Sequence, residues 1–125
     1  MSLEPGLCAR IVHDVAEEDS ALSCGSGDVP VLATPRVVAL CEQASVAALA
    51  GRLDEGTTSV GMRVQLDHLA PTAIGTEVTA EATLEKVEGR RLTFTVAVRD
   101  ARSLVAAGKV TRVVVDRAAF LSKCG

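Results

Sequence analysis

Residues 35–51 read PRVVALCEQASVAALAG, with a proline where a helix can start, a long apolar run and a glycine where it can stop. Thr34 stands just before Pro35. Its hydroxyl is expected to cap the first free amides, and proline lacks one of those amides in any case. The stretch therefore predicts a helix over 35–50. So little of its surface is polar that the rest of the chain should largely enclose it. Glu42 stands in the middle, sharing a face with Val38, Val46 and Leu49 by the i, i+4 and i+7 spacing. An unpaired buried carboxylate costs several kcal/mol, comparable with the net stability of a domain. Glu42 must therefore be paired, hydrogen-bonded or neutralised, and an acid kept in such a place is a candidate for chemistry.

Outward from this helix the chain is mostly strand. Residues 7–15, LCARIVHDV, alternate well enough for a first strand with Leu7, Ala9, Ile11 and His13 on one face. Residues 16–30, AEEDSALSCGSGDVP, are acidic and rich in serine and glycine. They read as a loop, placed to act as a mobile cover over whatever the helix presents. Beyond the helix, residues 59–69 predict a strand with Val60, Met62, Val64, Leu66 and His68 on one face and Gly61 on the other. The missing side chain of Gly61 admits a close neighbour. Residues 76–87, 92–98 and 104–115 alternate in turn, and Glu88-Gly89-Arg90 marks a hairpin. Gly108 suggests a bulge or bend in the last strand, and the chain end is at most a short helical turn.

One helix cannot cover both faces of five strands, so the sheet must curl around it. That leaves an exposed edge and a surface rich in Val and Ala, which argue for pairing with a second copy. The expected architecture is α+β, a single domain over residues 1–125. In it a curved five-stranded antiparallel sheet wraps one long central helix, the hotdog arrangement.

Composition narrows the function. A net charge of −3 argues against nucleic acid as a partner. The four cysteines form no CxxC pair and the two histidines lack metal-ligand spacing, so free thiols in a reducing cytoplasm and no metal are expected. No run approaches the roughly 18 apolar residues of a membrane span, and no leader opens the chain.

The stretch from Thr34 to His68 resembles the fluoroacetyl-CoA thioesterase-like branch of the hotdog thioesterase superfamily. Thr34 opens the helix, Glu42 follows eight residues later, and His68 lies twenty-six beyond Glu42 on the next strand. Gly61, seven residues before His68, and the hairpin Val87-Glu88-Gly89-Arg90-Arg91-Leu92 also match. The likeness covers roughly residues 30–118. It departs at Ser26-Gly27-Asp28-Val29-Pro30-Val31, which carries no aromatic residue where the fluoroacetyl-selective member has a longer, aromatic segment. The resemblance thus implies an acyl-CoA thioesterase acting on a small or medium acyl thioester, without extending to fluoroacetyl selectivity.

Catalysis would fall to Thr34, Glu42 and His68, with Gly61, Pro35 and Arg36 as candidate substrate contacts. CoA enters as part of the substrate and no other cofactor is implied. The partner is another copy, in a homodimer open to further pairing into a tetramer. Amides at the helix start would hold the oxyanion, and Glu42 would serve as base toward water or as attacking carboxylate. An imidazole titrates at about pH 6.5, so His68 can move a proton at neutral pH. Thr34 would orient the acyl group or the water. Each residue also has an ordinary role open to it: Thr34 as a cap, Glu42 as partner of an arginine such as Arg63, His68 as a packed strand histidine. A hydratase or dehydratase of acyl thioesters, or a non-catalytic acyl-CoA-binding module, would use the same architecture.

Overall fold

Alternation decides which face each strand buries, and the computed structural model, which describes residues 3–125, follows it closely. The elements are β1 (Cys8–Asp14), α1 (Ala21–Cys24), α2 (Thr34–Ala48), β2 (Thr57–His68), β3 (Glu77–Glu88), β4 (Arg91–Arg99), β5 (Leu104–Asp116) and α3 (Arg117–Ser122). The strands form one antiparallel sheet in the order β1-β3-β4-β5-β2. Val78, Ala80, Ala82 and Leu84 of β3 and Leu92, Phe94, Val96 and Val98 of β4 are buried against α2, which contributes Val37, Leu40, Cys41 and Ala44. Each buried Val or Leu contributes about 1.5–3 kcal/mol. The alanines at the centre let the helix lie close to the sheet. Register shifts at Gly61/Arg63, Leu84/Lys86 and Val98/Arg99 add twist, and the sheet curves around α2 as a hotdog fold requires. No helix among the described residues is long and apolar enough to cross a membrane.

Four local expectations change. First, α2 is enclosed on one side only: Val38 and Glu42 are half-buried and Val46 is 49% exposed, because the sheet of one chain curls around a single flank of the helix. Second, the shift at Gly61/Arg63 makes Met62 an extra residue, so strict alternation fails there. Gly61 then faces the helix with Val64, Leu66 and His68, while Met62 is exposed. Third, β5 keeps its register through Gly108. The glycine is needed there for close approach, since a Cβ would overlap the Gln65 carbonyl and lie 2.8 Å from Leu66 Cα.

Fourth, the segment expected as a mobile loop is folded and tied down. A 3₁₀ turn at Glu17–Asp19 leads into α1, capped by Ser20, whose Oγ accepts from Ser23 N–H at 3.1 Å. Asp19 is its buried root, 3% exposed. Its Oδ2 accepts from Ala16 N–H and from His13 Nε2, both at 2.7 Å, and its Oδ1 from Arg36 Nε at 2.8 Å. The Asp19 carbonyl accepts from Ala33 N–H at 2.9 Å. One carboxylate thereby joins β1, the turn and the first turn of α2.

Burial alone would raise the Asp19 pKa, but the bonds from Ala16, His13 and Arg36 outweigh it and hold the carboxyl at about 2. A carboxyl depressed from 3.8 in this way stabilises the fold above pH 4 and loses that contribution as pH falls through about 2. The contribution is on the order of 2 kcal/mol. Asp19→Asn should therefore lower the melting temperature at pH 7 and shrink the difference from wild type by pH 2. Equal gaps at both pH values would remove the charge from the explanation.

Candidate active site

The start of α2 and the end of β2 bring two side chains together. Thr34 Oγ1 and His68 Nδ1 share a 2.7 Å hydrogen bond. Thr34 does not cap the helix as expected. The N-cap is Ala33, whose carbonyl accepts from both Arg36 and Val37 N–H at 3.0 Å, and the threonine hydroxyl is thereby left to His68. Pro35 has no amide to offer, so Thr34 N–H is the first-turn amide left for an incoming oxygen. The end of β2 is pinned below the helix start, with Leu69 and Ala70 N–H bonding the Val105 carbonyl at 2.7 and 3.2 Å. His68 Nε2 is buried without a hydrogen-bond partner among the described residues, which leaves Nδ1 as the working nitrogen. Burial pushes the His68 pKa below its ordinary value, with the Ala70 backbone opposing, so the ring is neutral at pH 7.

A cavity of about 330 Å³ opens beside this pair, walled by Gly27, Val29 and Val31 from the segment before α2 and by Leu69 and Pro71 after β2. No charged side chain lines it; Ser26, Thr34 and His68 are its polar side chains.

Glu42 belongs to a second cluster. Its Oε2 accepts from Arg112 Nη1 at 2.9 Å, while Arg112 Nε donates to Ser59 Oγ at 2.9 Å and Nη2 to the Ser59 carbonyl at 3.0 Å. Arg63, the example of an arginine partner in the ordinary reading of Glu42, is on the exposed side of the bulge, and the arginine that pairs with Glu42 is Arg112. Gly61 faces this carboxylate, and a Cβ there would collide with Oε2. Eight residues separate Thr34 from Glu42, about 12 Å along a helix axis. Thr34 and His68 thus meet within one chain, while Glu42 and Gly61 stand apart from them with Arg112. Arg36 donates to Asp19, and Pro35 is exposed on the first turn of α2.

Sequence reasoning missed Arg112 and Asp19. Arg112 had a signal, as the one charge in Val110-Thr111-Arg112-Val113-Val114-Val115, mirroring Glu42 in its apolar helix. Among the described residues no group of three or more His, Cys, Asp or Glu is placed to hold a metal ion. Cys41 is buried, and burial first and Glu42 second push its thiol up to about 11, so it is no nucleophile at pH 7.

The chain matches the family described as fluoroacetyl-CoA-specific thioesterase over residues 15–118. It is 38% identical over 93 residues to the fluoroacetyl-CoA thioesterase of Streptantibioticus cattleyicolor, an alignment covering 74% of this chain and 67% of that one. Among solved structures it is similar to the fluoroacetyl-CoA thioesterase FlK, with a TM-score of 0.93 and 28% identity, covering 99% of this chain and 96% of that chain. It is also similar to a hot-dog-like protein from Thermanaerovibrio acidaminovorans, with a TM-score of 0.88 and 29% identity over 96% and 89% of the two chains. A threonine-to-alanine mutant of FlK has been solved with fluoroacetate bound.

Proposed function

This chain belongs to the fluoroacetyl-CoA-specific thioesterase family, and from that premise we propose that it hydrolyses acyl-CoA thioesters at Thr34 and His68. The observation that carries the reading is the 2.7 Å contact between the threonine hydroxyl and a neutral imidazole at the mouth of an uncharged cavity. Since Nε2 is buried, protons reach His68 through Nδ1, and therefore through Thr34. This favours Thr34 as the attacking oxygen over the orienting role read from the sequence, because a nucleophile and its base within hydrogen-bond reach form a working pair. The hydroxyl proton passes to Nδ1 as Oγ1 bonds the thioester carbon, and the oxyanion is met by Thr34 N–H and the positive end of α2. The carbon–sulfur bond then breaks, and the CoA thiolate takes the proton from His68. Water next attacks the threonyl ester, again giving its proton to Nδ1, and the acid leaves as that proton returns to Oγ1.

Glu42 enters the proposal through a second copy. Among the described residues the outer edge of β2 pairs with no strand, which makes it a ready site for an antiparallel partner. Opposed residues must share a face, and a two-fold pairing centred near Gln65 sets His68 of one copy opposite the Gly61–Met62 bulge of the other. The homodimer would then join the Glu42–Gly61 cluster of one copy to the Thr34–His68 pair of its neighbour, with Glu42 placed to guide the water. Further pairing into a tetramer is open to the same fold. The whole chain acts as one domain, in the cytoplasm, with no metal and no nucleic acid. The exposed unpaired thiols of Cys8, Cys24 and Cys124 support that compartment.

The test is release of free CoA from acyl-CoA by the purified protein. Free thiol supports hydrolysis, a change in enoyl absorbance without thiol supports a hydratase, and tight binding without either supports a carrier. The pH profile adds a check. His68 works in its neutral form and its pKa lies below 6.5, so the acid limb of kcat/KM should have its midpoint below pH 6.5. A midpoint above pH 7 would exclude His68 as the base.

A further inference from the structure

We propose that the cavity beside Thr34 takes an uncharged aliphatic acyl chain of about four to six carbons, an inference that rests on the thioesterase reading and sharpens its substrate. The size follows from the volume. About 150 Å³ is enough for an apolar cavity to hold a six-carbon ring, and this cavity has about 330 Å³. On that scale a chain of four to six carbons takes about a third to a half of the space and leaves the rest to the thioester and the start of the pantetheine arm, whereas a two-carbon acyl group takes about a sixth.

The chemistry follows from the wall. Val29, Val31, Leu69 and Pro71 offer aliphatic surface. Val29 and Leu69 stand 48% and 58% exposed beside the cavity, so an acyl chain lying between them covers apolar area that is otherwise in water. No lysine or arginine lines the space. The nearby cation on α2, Arg36, donates to Asp19 instead. A second carboxylate on the acyl group, as in succinyl or malonyl thioesters, would find no cationic partner here and would give up hydration wherever it lay against this aliphatic wall.

The wall is also fixed. Val29 and Val31 follow the segment rooted by Asp19, and Val31 pairs with Ala73 across the cavity rim while Leu32 N–H bonds the Thr72 carbonyl at 2.9 Å. These ties hold the part of the wall that this chain contributes in place before substrate arrives.

The experiment compares kcat/KM of the full chain for acetyl-, fluoroacetyl-, butanoyl-, 3-methylbutanoyl-, hexanoyl- and succinyl-CoA by thiol release. Each added methylene should raise kcat/KM roughly 4-fold up to the four-to-six-carbon range. Butanoyl should exceed both two-carbon substrates, and succinyl should fall at least about 10-fold below butanoyl. Val29→Phe, at a position exposed enough to leave folding intact, should lower the hexanoyl-to-acetyl ratio by roughly 10-fold. A profile that peaks at acetyl or fluoroacetyl, or succinyl turned over as well as butanoyl, overturns the proposal while leaving the thioesterase reading standing. So does a Val29→Phe variant with an unchanged ratio. Absence of thiol release from every substrate overturns the thioesterase reading itself, and this one with it.

Discussion

His68→Ala is expected to lower kcat by roughly 10²–10⁴, with KM changed much less and the melting temperature within a few degrees of wild type. Loss of the ring removes the base that accepts through Nδ1. It also removes a buried Nε2 that has no hydrogen-bond partner among the described residues, a group that ordinarily costs about 1–3 kcal/mol. That relief offsets part of the packing lost with the imidazole. Thr34→Val keeps the shape of the threonine and removes its hydroxyl, and it should give a loss of the same order. The informative measurement is the double variant. Groups that act as a unit give losses that do not multiply, so Thr34→Val/His68→Ala should be no slower than the worse single variant within a few-fold. Multiplying losses would mean that the two residues serve separate steps, and that their 2.7 Å contact is incidental to catalysis. Thr34→Ser should retain a measurable rate. Rapid-quench kinetics on it should show a burst of thiol ahead of acid release if the hydroxyl is acylated, and no burst if water attacks directly.

The sequence was most legible where one period held without interruption. Val78 to Leu84 and Leu92 to Val98 alternate strictly, and the structure buries the faces that alternation selects. It became misleading where a single residue broke the period. Nothing in Ser59 to Leu69 marks Met62 as the extra residue of a bulge, yet that residue moves Gly61 from the far face to the face of His68. The site was legible in the same uneven way. Thr34 and His68, thirty-four residues apart, meet because the helix start and the end of the next strand are both fixed by the fold. The Arg112 partner of Glu42 lies seventy residues further along the chain and is chosen by the pairing of β5 with β2, which no local pattern encodes. Asp19 was hidden in an acidic run, where composition points to solvent; three donors from three different elements make it a buried anchor.

Glu42→Gln carries the other large expectation, and the structure reverses part of it. Read from the helix alone, the substitution removes a costly lone charge and should leave stability equal or higher. In the fold the carboxylate is the counter-charge of a guanidinium more deeply buried than itself, with side-chain exposures of 8% for Arg112 and 34% for Glu42. The amide leaves Arg112 with neutral acceptors only, a change worth about 1–3 kcal/mol, or roughly 3–10 °C in melting temperature for a chain of this size. Turnover should fall by roughly 10²–10⁴. Whether Glu42 works in its own chain or across a dimer is then decided by mixing subunits. Glu42→Gln and His68→Ala chains, co-expressed with different tags and purified as the mixed dimer, assemble one site in which both residues are intact if the site is shared between copies. The mixed dimer should then recover about half the wild-type rate, although each parent dimer is nearly inactive. If the site lies within one chain, neither half of the mixed dimer is complete and the rate stays at the parental level. A Glu42→Gln protein that turns over normally but melts early would place Glu42 in the Arg112 ion pair alone.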